Sequence, residues 1–219
     1  FVVVATRADG VTEDVTAKAK ATLGDPKLAK VDGNTLYPLA DGQSQLVVEY
    51  AGHSANIPVV VKDAAAPRPV SYQLDVMPVF MRAGCNVGGC HGAASGKDGF
   101  HLSLFGYDPE ADYHSLTREI GFRRLNLAIP ERSLLLEKAI GEAPHTGGKR
   151  FEKNSEYYQT LLNWIKAGAP KDPGEVPTVE TIELYPRQVV LEGAETKQPF
   201  IVRAKYSDGT DRDVSHLAV

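Results

Sequence analysis

The two ends of this chain are copies of one another. FVVVATRADGVTEDVT at 1–16 aligns without gaps on FIVRAKYSDGTDRDVS at 200–215. Phe1, Val3, Ala5, Asp9, Gly10, Asp14 and Val15 match Phe200, Val202, Ala204, Asp208, Gly209, Asp213 and Val214. Each copy alternates apolar and polar residues, reaches an Asp-Gly turn and resumes, which is the pattern of a strand, a hairpin turn and a second strand. Any fold for this chain has to place a like β element at both ends and something different between them. Strand signals continue from the first copy through residue 62. LAKVDGNTLYPL carries a second Asp-Gly turn, and QSQLVVEYAGHSANIPVVV alternates around a Gly turn. The spacing predicts a small β-sandwich over 1–62.

Two linkers set off the middle of the chain: DAAAPRPVS at 63–71 and KDPGEVP at 171–177, both rich in proline and small or charged residues. Between them the signals are helical. DVMPVFMRAG (75–84) predicts a short helix with Pro78 in its first turn. DPEADYHSLTRE (108–119) and PERSLLLEKA (130–139) open with helix-start chemistry. NSEYYQTLLNWIKAGAP (154–170) has a cap at Asn154 or Ser155 and an apolar face of Tyr158, Leu161, Leu162 and Ile165. Gly168 and Pro170 end it. The expectation is a mostly helical middle joined by long Gly-rich loops.

Composition narrows the function classes. A net charge of −4 over 219 residues gives no basic face of the kind nucleic acid requires. No apolar run approaches the roughly 18 residues of a membrane span; the longest, IPVVV at 57–61, is strand-sized. The chain opens in mid-pattern and reads as an excised fragment, so no compartment is read from its first residues.

The chemistry concentrates in CNVGGCHG at 85–92, which holds both cysteines of the chain. A disulfide between Cys85 and Cys90 would close little chain and stabilise little. Zinc needs four ligands, and the adjacent Cys90 and His91 are poorly disposed to share one small ion. Covalent haem needs two thiols that reach its two vinyl groups and an imidazole beneath the iron. Two residues usually separate the thiols and four do here, with Gly88 and Gly89 free to bulge. On these residues alone haem, zinc and a disulfide or free thiols all stand.

Residues 75–171 resemble the planctomycete-type cytochrome c domain. The ordered matches are CNVGGCHG with its trailing glycine, the Pro-x-x-Ser-Leu-Leu-Leu helix start at 130–136, a Pro-flanked loop at 143–148, and WIKAGAP at 164–170. The flanks resemble bacterial immunoglobulin-like modules of group 2. Residues 1–62 look like a module lacking its first strand, and 178–219 like the first strands of another. The resemblance implies a multidomain α and β fold: a mostly helical cytochrome c domain at 72–171, with flanking partial immunoglobulin-like β-sandwich modules.

It also implies one covalent haem c on Cys85 and Cys90, with His91 as an axial ligand. Where ordinary members carry a methionine as the second ligand, this chain has His145, so the second ligand is expected to be that imidazole. A second imidazole in place of a thioether lowers the potential. Arg123, Arg124, Lys149 and Arg150 lie near that loop as candidate partners of the haem propionates, and Trp164 is expected at the haem edge. His101 is the competing ligand. Met77 and Met81 read as core, and His114, His53 and His216 as surface. The implied function is electron transfer to an unidentified redox protein outside the cytoplasm, without enzymatic turnover. The alternatives are a haem enzyme or sensor with an open iron site, and a scaffold whose β modules bind a partner. The edge left by the missing first strand invites pairing with the strand expected near Ile182 to Thr196, in this chain or a neighbour.

Overall fold

The computed structural model describes residues 1–66, 68–121 and 123–219. These form two compact units, one of Phe1–Arg68 with Thr178–His216, the other of Pro69–Pro177 with Leu217–Val219.

In the first unit the end repeat is kept atom by atom. Strands β1 (Val4–Thr6) and β2 (Thr12–Asp14) form one antiparallel hairpin, and β9 (Ile201–Tyr206) and β10 (Asp211–Asp213) the other. Gly10 and Gly209 turn them with φ of 84° and 79°, a region that an L side chain rarely enters. Each hairpin is then stapled by a hydroxyl. Thr16 Oγ1 accepts from Val3 N at 2.8 Å, and Ser215 Oγ accepts from Val202 N at the same distance. Five strands follow the first hairpin: β3 (Lys20–Leu23), β4 (Ala29–Asp32), β5 (Thr35–Pro38), β6 (Gly42–Tyr50) and β7 (His53–Val61). They make a three-stranded β3-β6-β7 sheet and a β4-β5 hairpin. Leu23, Leu28, Ala29, Leu46 and Val48 form the core. The second hairpin adds β8 (Val179–Tyr185) in the order β10-β9-β8. Val190, just beyond β8, meets the front hairpin. Thr12 N donates to its carbonyl oxygen at 2.9 Å, and Thr12 Oγ1 accepts from its N–H at 3.0 Å.

The second unit holds α1 (Met77–Arg82), α2 (Pro109–Thr117), α3 (Leu134–Ile140) and α4 (Glu156–Lys166). The fold class expected from the sequence is corrected here. The described residues are 20% helix and 25% strand, with small sheets and four α-helices among them, not a mostly helical cytochrome c domain. The physical reason is that the stop signals follow the start signals closely. Left-handed glycines at 84, 141 and 168, with φ of 70°, 81° and 90°, lie just beyond α1, α3 and α4. Pro130–Arg132 makes only one 3₁₀ turn, and Ser133 is extended (φ −66°, ψ 128°), so α3 waits until Leu134. The Gly-rich segments between the helices fold as hydrogen-bonded turns. Their core is dense nonetheless: Tyr72, Phe80, Leu102, Leu136, Leu161 and Trp164 are almost fully buried.

Candidate functional site

The segment after α1 folds back on itself. Cys85 N donates to Phe80 O at 2.8 Å, Cys90 N to Val87 O at 2.9 Å, and His91 N closes the loop onto Cys85 O at 3.0 Å. The four residues between the cysteines thus become a turn, and both cysteines flank His91. The glycines expected to permit this, Gly88 and Gly89, have no left-handed φ, and a Cβ on Gly89 would meet nothing. The required glycine is Gly92. A Cβ there would sit 2.1 Å from Asn86 O, which no side chain tolerates.

The second segment is 141–150, between α3 and α4. Gly148 N donates to His145 O at 2.9 Å, which makes a tight turn beneath the imidazole. A Cβ on Gly147 would lie 2.9 Å from His145 Cε1, so the ring folds over a position that only glycine leaves clear.

These two segments bring the histidines together. The rings of His91 and His145 have centres 6.2 Å apart and planes within 6° of parallel. His91 Nδ1 lies 3.0 Å from Phe100 O, and His145 Nδ1 lies 2.9 Å from Gly148 O. A carbonyl oxygen only accepts, so each Nδ1 must carry the proton and donate. In a neutral ring with this tautomer, Nε2 keeps its lone pair, the form in which imidazole binds a metal. Burial lowers the His91 pKa, with the Phe100 carbonyl opposing, which favours the neutral ring. Two imidazoles bound through nitrogen on opposite sides of one ion, at bonds of about 2.0 Å, have ring centres about 6 Å apart. The observed distance between ring centres has that length.

The histidines border an open cleft of about 110 Å³ whose walls are Phe80, Phe100, Leu102, Leu134, Leu135 and Ala139. Its rim carries Lys97, Arg123, Lys138 and Arg150 against the single carboxylate of Asp98. An anionic, largely apolar and planar ligand suits such a lining. Among the described residues no three His, Cys, Asp or Glu side chains gather as a metal held by protein alone would need. An iron carried in a macrocycle asks the protein for two axial ligands only. Cys85 and Cys90 are not joined in a disulfide, and burial pushes the Cys85 thiol up to about 11. At neutral pH it is a thiol, a poor partner for exchange.

The candidate residues named from the sequence separate into groups. Cys85, His91, His145, Arg123, Arg124 and Arg150 line the cleft, and Cys90 lines its extension beside the histidines. Arg124 is buried and engaged elsewhere: it donates to Ser115 O and Gly99 O, both at 2.7 Å, and lies 4.4 Å from the centre of the Phe100 ring. It shapes the wall beside Phe100. Trp164 is not a lining residue; its Nε1 donates to Pro170 O at 2.9 Å, and it packs on Tyr72 in the core. Lys149 pairs with Glu152 at the surface. His101 is exposed, because the segment alternates and its neighbours Phe100 and Leu102 take the inward positions. Met77 is buried in the core and Met81 exposed, while His53, His114 and His216 are exposed. Sequence reasoning missed Phe100, whose carbonyl orients His91; the inward phase of that alternation is its only signal. It also missed Lys97 and Lys138, which carry no motif. Compared with models of protein families, with curated proteins and with solved structures, the chain matches none.

Proposed function

We propose that the second unit is an electron carrier that binds one haem c, attached through Cys85 and Cys90, with His91 and His145 as its axial ligands. One observation carries this reading: two nearly parallel imidazoles 6.2 Å apart, each with Nδ1 on a backbone carbonyl, at the mouth of a cleft lined by an apolar wall. The resemblance of residues 75–171 to c-type cytochromes supports it independently. A bound haem supplies a one-electron iron couple. The chain supplies the rest. The carbonyls of Phe100 and Gly148 fix both tautomers and raise the basicity of both rings. Phe80, Leu102, Leu134 and Leu135 keep water from the cleft. Lys97, Arg123 and Lys138 offset the charge of two carboxylates at the rim. With both axial positions taken by side chains, the reading is electron transfer rather than turnover of a substrate. The partner is then another redox protein, and attachment of haem to thiols places the protein outside the cytoplasm.

The test is mass spectrometry of protein made alongside a haem-attachment system. The denatured chain should carry the mass of one haem, and acid-acetone should not extract it. The ferric spectrum should be six-coordinate and low-spin. His145→Ala should keep the attached haem and become high-spin. A low-spin spectrum untouched by that change, or haem lost to acid-acetone, would end this reading.

A further inference from the structure

The two histidines sit on segments that share no helix or strand, yet their rings stand within 6° of parallel. Something must fix one segment against the other. Arg150 is the side chain that spans them. Its Nε donates to Ala83 O at 2.6 Å and its Nη1 to Gly147 O at 3.1 Å. Ala83 lies two residues before Cys85, and Gly147 two residues after His145. The backbone of Arg150 is itself anchored, since its N–H donates to Ala139 O on α3 at 2.7 Å. Gly84 leaves room for the guanidinium: a Cβ there would lie 2.5 Å from Arg150 Nη2.

We propose that Arg150 is a positioning residue, a strap that ties the His145 loop to the cysteine loop and sets the spacing of the two imidazoles. This rests on the haem reading and deepens it. The sequence suggested that Arg150 neutralises a propionate, and the geometry argues otherwise. Two of its donors are engaged by carbonyls from two different segments, which is work for a planar fork and not for a point charge. A lysine in its place keeps the charge but has no rigid pair of donors. Lys138 also reaches this loop, donating to Pro144 O at 3.1 Å. It reaches the outer side of the loop, not the cysteine segment.

The experiment compares the full chain with Arg150→Lys and Gly84→Ala. The second variant crowds the guanidinium without removing it but also strains the left-handed backbone at residue 84, so it counts only where its melting midpoint stays near that of the wild-type chain. Two readouts are taken. In protein not yet loaded with haem, amide hydrogen exchange across 145–148 should speed up about tenfold in both variants, the loss of roughly one hydrogen bond. In loaded ferric protein, cyanide has to displace His145, so its affinity should rise by a similar factor while the amount of attached haem is unchanged. Arg150→Lys that leaves both loop exchange and cyanide affinity at the wild-type values overturns the strap and returns Arg150 to a charge role. If the wild-type chain takes up no haem, the electron-carrier reading falls, and loop exchange alone then upholds or overturns the strap.

Discussion

Gly92 accommodates the wide spacing of the cysteines by what it lacks. The turn from Asn86 to Gly92 is so tight that the backbone oxygen of Asn86 occupies the place of a side chain on residue 92. The neighbouring Gly88 and Gly89 attract attention in the sequence, yet neither needs to be glycine for backbone or steric reasons of this kind. Two substitutions separate these roles. Gly92→Ala should open the turn, pull His91 N from Cys85 O and destabilise the second unit by about 2–4 kcal/mol, the range of a steric lesion in a packed site. If haem is attached as proposed, its attachment should fall with it. Gly89→Ala should stay within about 0.5 kcal/mol of wild type. Thermal melts and haem stoichiometry on both variants check the pair, and equal effects would move the constraint elsewhere in the loop.

Among the elements, α4 is the most legible in the sequence. Ser155 caps it by accepting from Tyr158 N, and its expected apolar face of Tyr158, Leu161, Leu162 and Ile165 is buried. The hairpins were legible too, because an Asp-Gly turn needs a left-handed glycine and both copies supply one. What was not legible was how soon helices stop and which way loops face. A start signal names the first residue of a helix, but helix length depends on the turn that follows and on what packs behind it. The meeting of residues 91 and 145 likewise required a resemblance, since no local pattern links two loops so far apart in the chain. Trp164 shows the same limit. Its place on the apolar face of α4 says that it is buried, not against what. In the structure it fills a cluster with Tyr72 and Tyr113, with ring centres 5.6 and 6.5 Å away. Trp164→Phe should therefore remove the bond to Pro170 O and leave a small void, costing about 1–3 kcal/mol. If haem is attached as proposed, its spectrum should not move. A shifted spectrum would show that Trp164 reaches the cleft after all.

On the scale of the whole molecule, two cores support two units. Leu46 and Val48 anchor one, and Trp164, Phe80 and Leu136 the other. The first unit is built from both ends of the chain, so it depends on contacts between residues 1–68 and 178–216. Thr12 supplies one of the few that can be removed cleanly. It is buried, its N–H and hydroxyl both engage Val190 O, and its Oγ1 also accepts from Val190 N. Arg7 reinforces the place through Glu192 at 2.7 Å, but both side chains are exposed and contribute little. Thr12→Val keeps the shape and the backbone bond while deleting the hydroxyl. The N–H of Val190 then loses its acceptor, at a cost of about 1 kcal/mol. In a domain of this size that lowers the melting midpoint by roughly 4–8 °C. The amide I infrared band of the strands, which among the described residues all lie in the first unit, should report the lower midpoint. The fluorescence of Trp164, buried in the second unit, should change where it did before. If both signals shift together the two units melt as one, and the chain has a single cooperative core instead of two.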